Sequence, residues 1–172
     1  MISLAIALPL FAMVSPDLHR ALAGSWAGVL EYRDYAEPST SSKRVKLPTW
    51  LTIEPAGDAL KFRYVYDDGP SKTVTETEVV QIDVATATYQ VLTPDLKKKD
   101  AYDVAVLASL REGKGTHILS GPGTENNAPV NVRTTLRIGR NILEITRETA
   151  PPGQPFVFRH AYTLVRATAP GK

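Results

Sequence analysis

The chain has 172 residues, of which 43% are hydrophobic and 22% charged, as expected for one globular domain with a sizeable core. Its formal net charge of +2 is too small to predict binding to nucleic acid or to a membrane surface. It contains no cysteine, which excludes disulfides, thiolate metal sites and cysteine nucleophiles. The 13 prolines and 11 glycines fall mostly between alternating segments rich in Thr, Val and Tyr, which favours an all-β fold.

The N-terminal run is apolar from Ile2 to Val14, apart from Ser3 and Pro9. It is too short to span a bilayer and long enough for the apolar core of a signal peptide. No Lys or Arg precedes it, so either the true start lies upstream or the run is an apolar segment that packs onto the domain. We expect residues 1–14 to be an export signal and the protein to be periplasmic or secreted, with no transmembrane span in the mature chain.

A short helix is predicted after this run. Ser15 can cap it, Pro16 suits the first helical position, and Asp17 complements the positive end of the helix dipole. Gly24 is a natural stop, which leaves a helix of about two turns. Its apolar face needs something to cover, and we expect this to be one end of a barrel.

Segments with a two-residue alternation then follow one another to the end of the chain. They predict about ten strands, at residues 25–35, 49–54, 60–66, 72–83, 86–92, 101–110, 116–120, 130–138, 142–147 and 156–166. Residues 36–48 are predicted to be a long basic loop, either a lid or simply solvated. Short connections make neighbouring strands antiparallel, and closure removes the sheet edges. We therefore predict an up-and-down barrel over residues 15–168, with 169–172 as a tail.

The stretch Leu22-Ala23-Gly24-Ser25-Trp26-Ala27-Gly28 resembles the glycine-x-tryptophan signature of lipocalins and other calycins. In that superfamily the tryptophan closes the barrel bottom and a basic residue of the last strand lies across it. The resemblance therefore implies a structural plug made of Gly24, Trp26, Gly28 and Arg166. Ten strands behind one helix, and the composition of residues 125–135, are similar to bacterial lipocalin-like barrels.

The predicted inner face is rich in aromatic residues, which by alternation are Tyr32, Phe62, Tyr64, Tyr66, Phe158, His160 and Tyr162. Buried tyrosine hydroxyls need partners. Either these residues line a cavity for a small hydrophobic or amphipathic molecule, with Glu76 or Glu78 fixing its polar end, or they satisfy one another in a filled barrel. We predict ligand binding, because barrels of this width usually enclose a cavity.

His160 suggests haem as an alternative ligand. Nitrobindin-like barrels hold haem through a histidine on a late strand, and imidazole is a common ligand of haem iron. The nitrobindin glycine pattern after the tryptophan is absent, because the chain continues as Gly28-Val29-Leu30. No other cofactor and no metal is predicted.

Enzymatic activity is not predicted. The sequence has no nucleophile-elbow pattern, no metal-binding histidine pair and no phosphate-binding glycine loop. A further alternative is an envelope protein that binds an acidic partner through Lys43, Arg44, Lys46 and residues 97–99. Nothing in the sequence fixes the oligomeric state.

Overall fold

A computed structural model describes residues 16–38 and 41–167. Its ten strands form one closed antiparallel barrel in which each strand pairs with its neighbours in sequence and the first pairs with the last, so the predicted fold class is confirmed. The elements are α1 (Pro16–Leu22), β1 (Gly24–Arg33), β2 (Arg44–Ala56), β3 (Ala59–Asp67), β4 (Thr73–Asp83), β5 (Thr88–Leu92), β6 (Lys98–Val104), α2 (Leu107–Arg111), β7 (Gly115–Glu125), β8 (Ala128–Ile138), β9 (Ile142–Ala150) and β10 (Val157–Arg166). The predicted signal at 1–14, the cap at Ser15 and the tail at 169–172 lie outside the described residues.

Two strands are about twice as long as the alternation predicted. β2 begins at Arg44, which pairs with Arg33, so residues 44–48 of the predicted loop at 36–48 are strand. β7 continues through Gly121-Pro122-Gly123 to Glu125, because β8 pairs with it along this whole length. The β7–β8 turn is formed by Asn126 and Asn127, whose φ values of 49° and 62° suit a tight two-residue hairpin.

The predicted strand at 101–110 is wrong in its second half. β6 ends at Val104 and the chain forms the short helix α2. Leu107 and Leu110 lie three residues apart, so a helix turns both towards the barrel core, where Leu110 is fully buried. α2 contacts α1, and two helices therefore lie at the end of the barrel where β1 begins.

That end is closed around Trp26, of which 1% is exposed. Its indole Nε1 donates a hydrogen bond to the Leu22 carbonyl at 2.9 Å. The Arg166 guanidinium lies 4.2 Å from the centre of the ring and donates to the Ala23 and Ala21 carbonyls at 2.8 and 2.6 Å. The last strand, the indole and the C-terminal end of α1 are thus joined in one contact.

Gly24 and Gly28 flank Trp26 at points of close approach. Gly24 has a φ of +125°, and a Cβ there would lie 2.8 Å from Nη1 of Arg166. A Cβ on Gly28 would lie 2.0 Å from the Thr163 carbonyl oxygen on β10. A larger residue at Gly24 would displace the Arg166 guanidinium, and one at Gly28 would push the first and last strands apart where the barrel closes.

Within residues 16–38 and 41–167, neither helix is long and apolar enough to cross a membrane.

Candidate functional site

The two helices cover one end of the barrel, and the other end is open. On one side of this open end the strands of the barrel wall are short. β4 pairs with β5 only from Val79 to Asp83, so its first six residues extend beyond the β5–β6 hairpin. β6 and β7 pair only at Asp103 with Ser120 and at Val104 with Leu119. The parts of β4 and β7 nearest the open end therefore border a notch in the barrel wall, and the short β5–β6 hairpin forms its lower edge.

A cavity of about 760 Å³ lies inside the barrel and reaches this notch. It is lined by residues from β3 to β10, including β4, β6 and β7 around the notch. The lining residues are Tyr64, Glu76, Glu78, Tyr89, Val91, Lys99, Asp100, Tyr102, Leu119, Pro122, Gly123, Thr124, Thr134, Leu136, Ile145, Arg147, His160 and Tyr162.

The polarity of the lining changes along the barrel axis. On β9 the inward residues pass from Arg147, towards the open end, to Ile145 and then to Leu143 beside the helices. β8 follows the same gradient, with Thr134 nearer the open end than Leu136. We name the polar residues towards the open end the polar collar. It consists of Tyr66, Glu76, Glu78, Lys99, Tyr102, Arg147, His160 and Tyr162. The aliphatic residues of the lining form the apolar floor, which consists of Val91, Leu119, Leu136 and Ile145.

One side of the polar collar is a chain of hydroxyl groups. The Tyr66 and Tyr162 hydroxyls hydrogen-bond at 2.9 Å, and Tyr66 also donates to Oε2 of Glu76 at 3.3 Å. Burial raises the pKa of both tyrosines, so both remain protonated at neutral pH. The His160 ring meets the Tyr162 ring edge-on, with centroids 5.6 Å apart.

His160 is neutral at physiological pH. Burial, helped by the positive charges of Arg147 and Arg159, lowers the pKa of its imidazole to about 4. A neutral imidazole offers one N–H donor and one nitrogen acceptor. His160 can therefore orient a ligand or coordinate a metal centre without first losing a proton.

Arg147 stands beside His160, its cross-strand partner. Its Nη1 donates a hydrogen bond of 2.9 Å to the Tyr102 hydroxyl, and the guanidinium lies 5.7 Å from the centre of that ring. Burial raises the pKa of Tyr102, so the phenol keeps its proton. This pair was missed at the sequence level, although the alternation Leu143, Ile145, Arg147 places the guanidinium on the inner face.

An ion pair crosses the notch above the end of β5. Nζ of Lys99 on β6 lies 2.9 Å from Oε1 of Glu78 and 3.7 Å from Oε1 of Glu76, both on β4. The ion pair thus ties the β5–β6 hairpin to β4 at the mouth of the cavity.

The predicted binding residues take different positions. Tyr64, His160 and Tyr162 line the cavity, and Tyr66 reaches it through its hydroxyl contact with Tyr162. Phe62 is buried at 2% exposure beside Tyr64 and belongs to the core. Tyr32 lies towards the open end of β1 and stacks on Tyr35, with ring centroids 6.4 Å apart.

Phe158 lies on the outer surface, because a β-bulge between Phe158 and His160 adds one residue to β10 and shifts the alternation. Phe158 pairs with Glu148, which binds the outward-facing Arg133 at 2.8 Å. The Arg44 guanidinium lies 4.6 Å from the Phe158 ring centre. The structure therefore places Phe158 outside the cavity.

The inserted residue, Arg159, is buried in a second charged cluster near the open end. Its Nη1 lies 2.6 Å from Oε1 of Glu125, and Nη2 of Arg33 lies 4.0 Å from the same oxygen. Thr149 donates to the other carboxylate oxygen at 2.8 Å. Both guanidinium groups also lie within 5.0 Å of the Tyr35 ring centre. This cluster joins β1, β7, β9 and β10 at the open end.

The predicted basic surface carries its own counter-charges. Lys43 pairs with Asp34 and Glu37 at 3.2 and 2.9 Å. Lys46 pairs with Glu31 at 3.3 Å, and Lys97 pairs with Asp95 at 2.7 Å. These pairs leave little net positive charge with which to attract an acidic partner.

No protein-family model matches the chain, and no curated protein matches it. The closed antiparallel ten-stranded barrel is consistent with a calycin-like fold. Within the described ranges, no group of three or more His, Asp or Glu residues is arranged to hold a metal ion.

Proposed function

We propose that this chain is a lipocalin-like carrier that binds a small hydrophobic or amphipathic molecule inside the barrel. The observation that carries the proposal is the cavity of about 760 Å³ with its apolar floor and polar collar. Small-molecule sites commonly have volumes of about 300–1,000 Å³ and combine an apolar lining with a few polar groups.

The polarity gradient suits an amphipathic ligand that enters with its apolar end first. The apolar floor is made of aliphatic side chains on β5, β7, β8 and β9, and an apolar group that contacts them leaves water. Each methylene group so buried contributes about 0.8 kcal/mol. The polar end of the ligand then remains at the polar collar, close to the notch through which it entered.

The test is the binding of N-phenyl-1-naphthylamine, an uncharged probe whose fluorescence rises in apolar surroundings. The protein is expected to bind it, and Ile145→Trp is expected to weaken binding at least about tenfold by filling the cavity beside the apolar floor. The matched control is Thr146→Trp, because Thr146 is the next residue on β9 and faces outward. Unchanged binding in Ile145→Trp, or no binding by the wild type, would refute the carrier function.

His160 supports haem as a second candidate. Its imidazole is neutral at physiological pH, faces the cavity and stands beside the Arg147 cation, which suits the carboxylates of haem. Addition of haemin is expected to produce a Soret band that His160→Ala abolishes. A wild-type protein that develops no such band would exclude haem.

A further inference from the structure

Three side chains of the cavity, Lys99, His160 and Arg147, can donate hydrogen bonds to an anion. Two of them carry no uncompensated positive charge. Lys99 is held by Glu78 and Glu76 across the notch. His160 is neutral at physiological pH. Among the residues that the structure describes, Arg147 has no carboxylate within ion-pair distance, and its guanidinium donates a hydrogen bond to the neutral Tyr102 hydroxyl.

A half-buried guanidinium without a counter-charge lowers the stability of the fold. Arginine cannot lose its proton in proteins, and a charged group that is partly removed from water is destabilising unless a counter-charge compensates it. Arg147 is half-buried on the cavity wall and forms no ion pair within the described ranges. An anionic ligand would supply the missing charge.

The guanidinium is accessible to such a ligand group, because Arg147 lines the cavity. Gly123 on β7 lies close to it, where an added Cβ would come within 3.8 Å of Nη2 of Arg147 and only 2.6 Å from Cγ2 of Val132, so no larger side chain fits there. Pro122 and Thr124 are the other residues of β7 that line this part of the cavity. The β7 wall therefore carries no large side chain opposite Arg147.

We propose that the polar end of the ligand is a carboxylate held by Arg147, Tyr102 and His160. This inference rests on the proposed carrier function. A guanidinium can hold a carboxylate through two parallel hydrogen bonds. The Tyr102 hydroxyl accepts its bond from Arg147 and keeps its own proton, which lies near the Asp100 carboxylate and turns to the ligand carboxylate on binding. Neutral His160, in register with Arg147, adds one N–H donor.

The remaining charges of the cavity favour a single negative charge. Glu76, Glu78 and Asp100 line the mouth together with Lys99, so this side of the lining is negative overall. A phosphate monoester, which carries almost two negative charges at neutral pH, would meet this repulsion with only one uncompensated cation to offset it. A carboxylate balances Arg147 one for one.

The test compares decanoate with 1-decanol, which have the same chain length and differ in the headgroup. Each displaces N-phenyl-1-naphthylamine from the full chain at neutral pH. Decanoate is expected to bind at least about tenfold more tightly than the alcohol. Arg147→Met is expected to abolish this preference while the affinity for 1-decanol is unchanged. The control Arg137→Met, on the outer face of β8 where Arg137 pairs with Glu144, is expected to keep the preference.

The outcomes separate the two proposals. If both ligands displace the probe equally from the wild type, the carboxylate assignment is overturned and the carrier function stands. If neither ligand nor the probe binds, both fall. Should Arg147→Met not fold, Arg147→Gln replaces it, and the wild-type comparison of the two ligands already decides whether a carboxylate is preferred. A preference that survives either variant would also overturn the role of Arg147.

Discussion

Trp26→Ala is expected to lower the free energy of unfolding by about 3–5 kcal/mol, the usual loss for deleting a large buried aromatic side chain. The indole is 1% exposed and is contacted by α1 through Leu22 and by β10 through Arg166. Its removal leaves a cavity between these elements and removes the ring over which the Arg166 guanidinium is stacked. Chemical denaturation followed by circular dichroism measures the change.

Trp50→Ala is the matched control, because Trp50 is the chain's other tryptophan and lies on the outer face of β2 with 49% of its surface exposed. Its removal is expected to change stability by only about 0.5 kcal/mol. Similar losses in the two variants would show that Trp26 does not close the barrel.

Acidification from pH 7 to pH 4 is expected to destabilise the wild type more than His160→Gln. The pKa of His160 is about 4 in the folded chain, against an ordinary value of 6.5. The unfolded chain therefore takes up this proton first as the pH falls. The stability that depends on a neutral His160 is complete above about pH 6.5 and is lost towards pH 4, by up to about 3 kcal/mol.

Unfolding free energies of the two proteins, measured every half pH unit, give the comparison. His117 is also buried with a lowered pKa and is present in both proteins, so its contribution cancels. Parallel stability profiles for the wild type and the variant would contradict the burial of a neutral His160.

Local alternation was sufficient to predict the barrel, because each strand buries one face and the turns between strands are marked by Gly, Pro, Asn and Asp. It was not sufficient at residues 101–110. A nearly continuous apolar run has no period that separates a strand from a buried helix. α2 forms because Leu107 and Leu110 pack into the core at the closed end. The local sequence does not reveal this packing.

The candidate site could be predicted only in part, for a similar reason. The two-residue alternation along β3 and β10 predicted that Tyr64, His160 and Tyr162 lie on the inner face, and the structure finds them lining the cavity. The bulge that turns Phe158 outward depends on how β10 pairs with β9, and the buried Arg159–Glu125 pair accompanies it. The approach of Arg147 to Tyr102 joins residues 45 positions apart in the chain and depends on barrel closure.

Because the β5–β6 hairpin is short, it can open in the proposed carrier and let a ligand exchange while the rest of the barrel stays folded. It is held to β7 by two register pairs, whereas β7 and β8 pair along eleven positions. Segments with few cooperative contacts open at lower free energy than the rest of a fold. In the proposed carrier, we therefore expect a bound molecule to leave by local displacement of this hairpin and rupture of the Lys99–Glu78 ion pair, while the other strands stay paired. On this proposal, the hairpin and that ion pair would set the residence time of the ligand, and the residues deeper in the cavity would set its affinity.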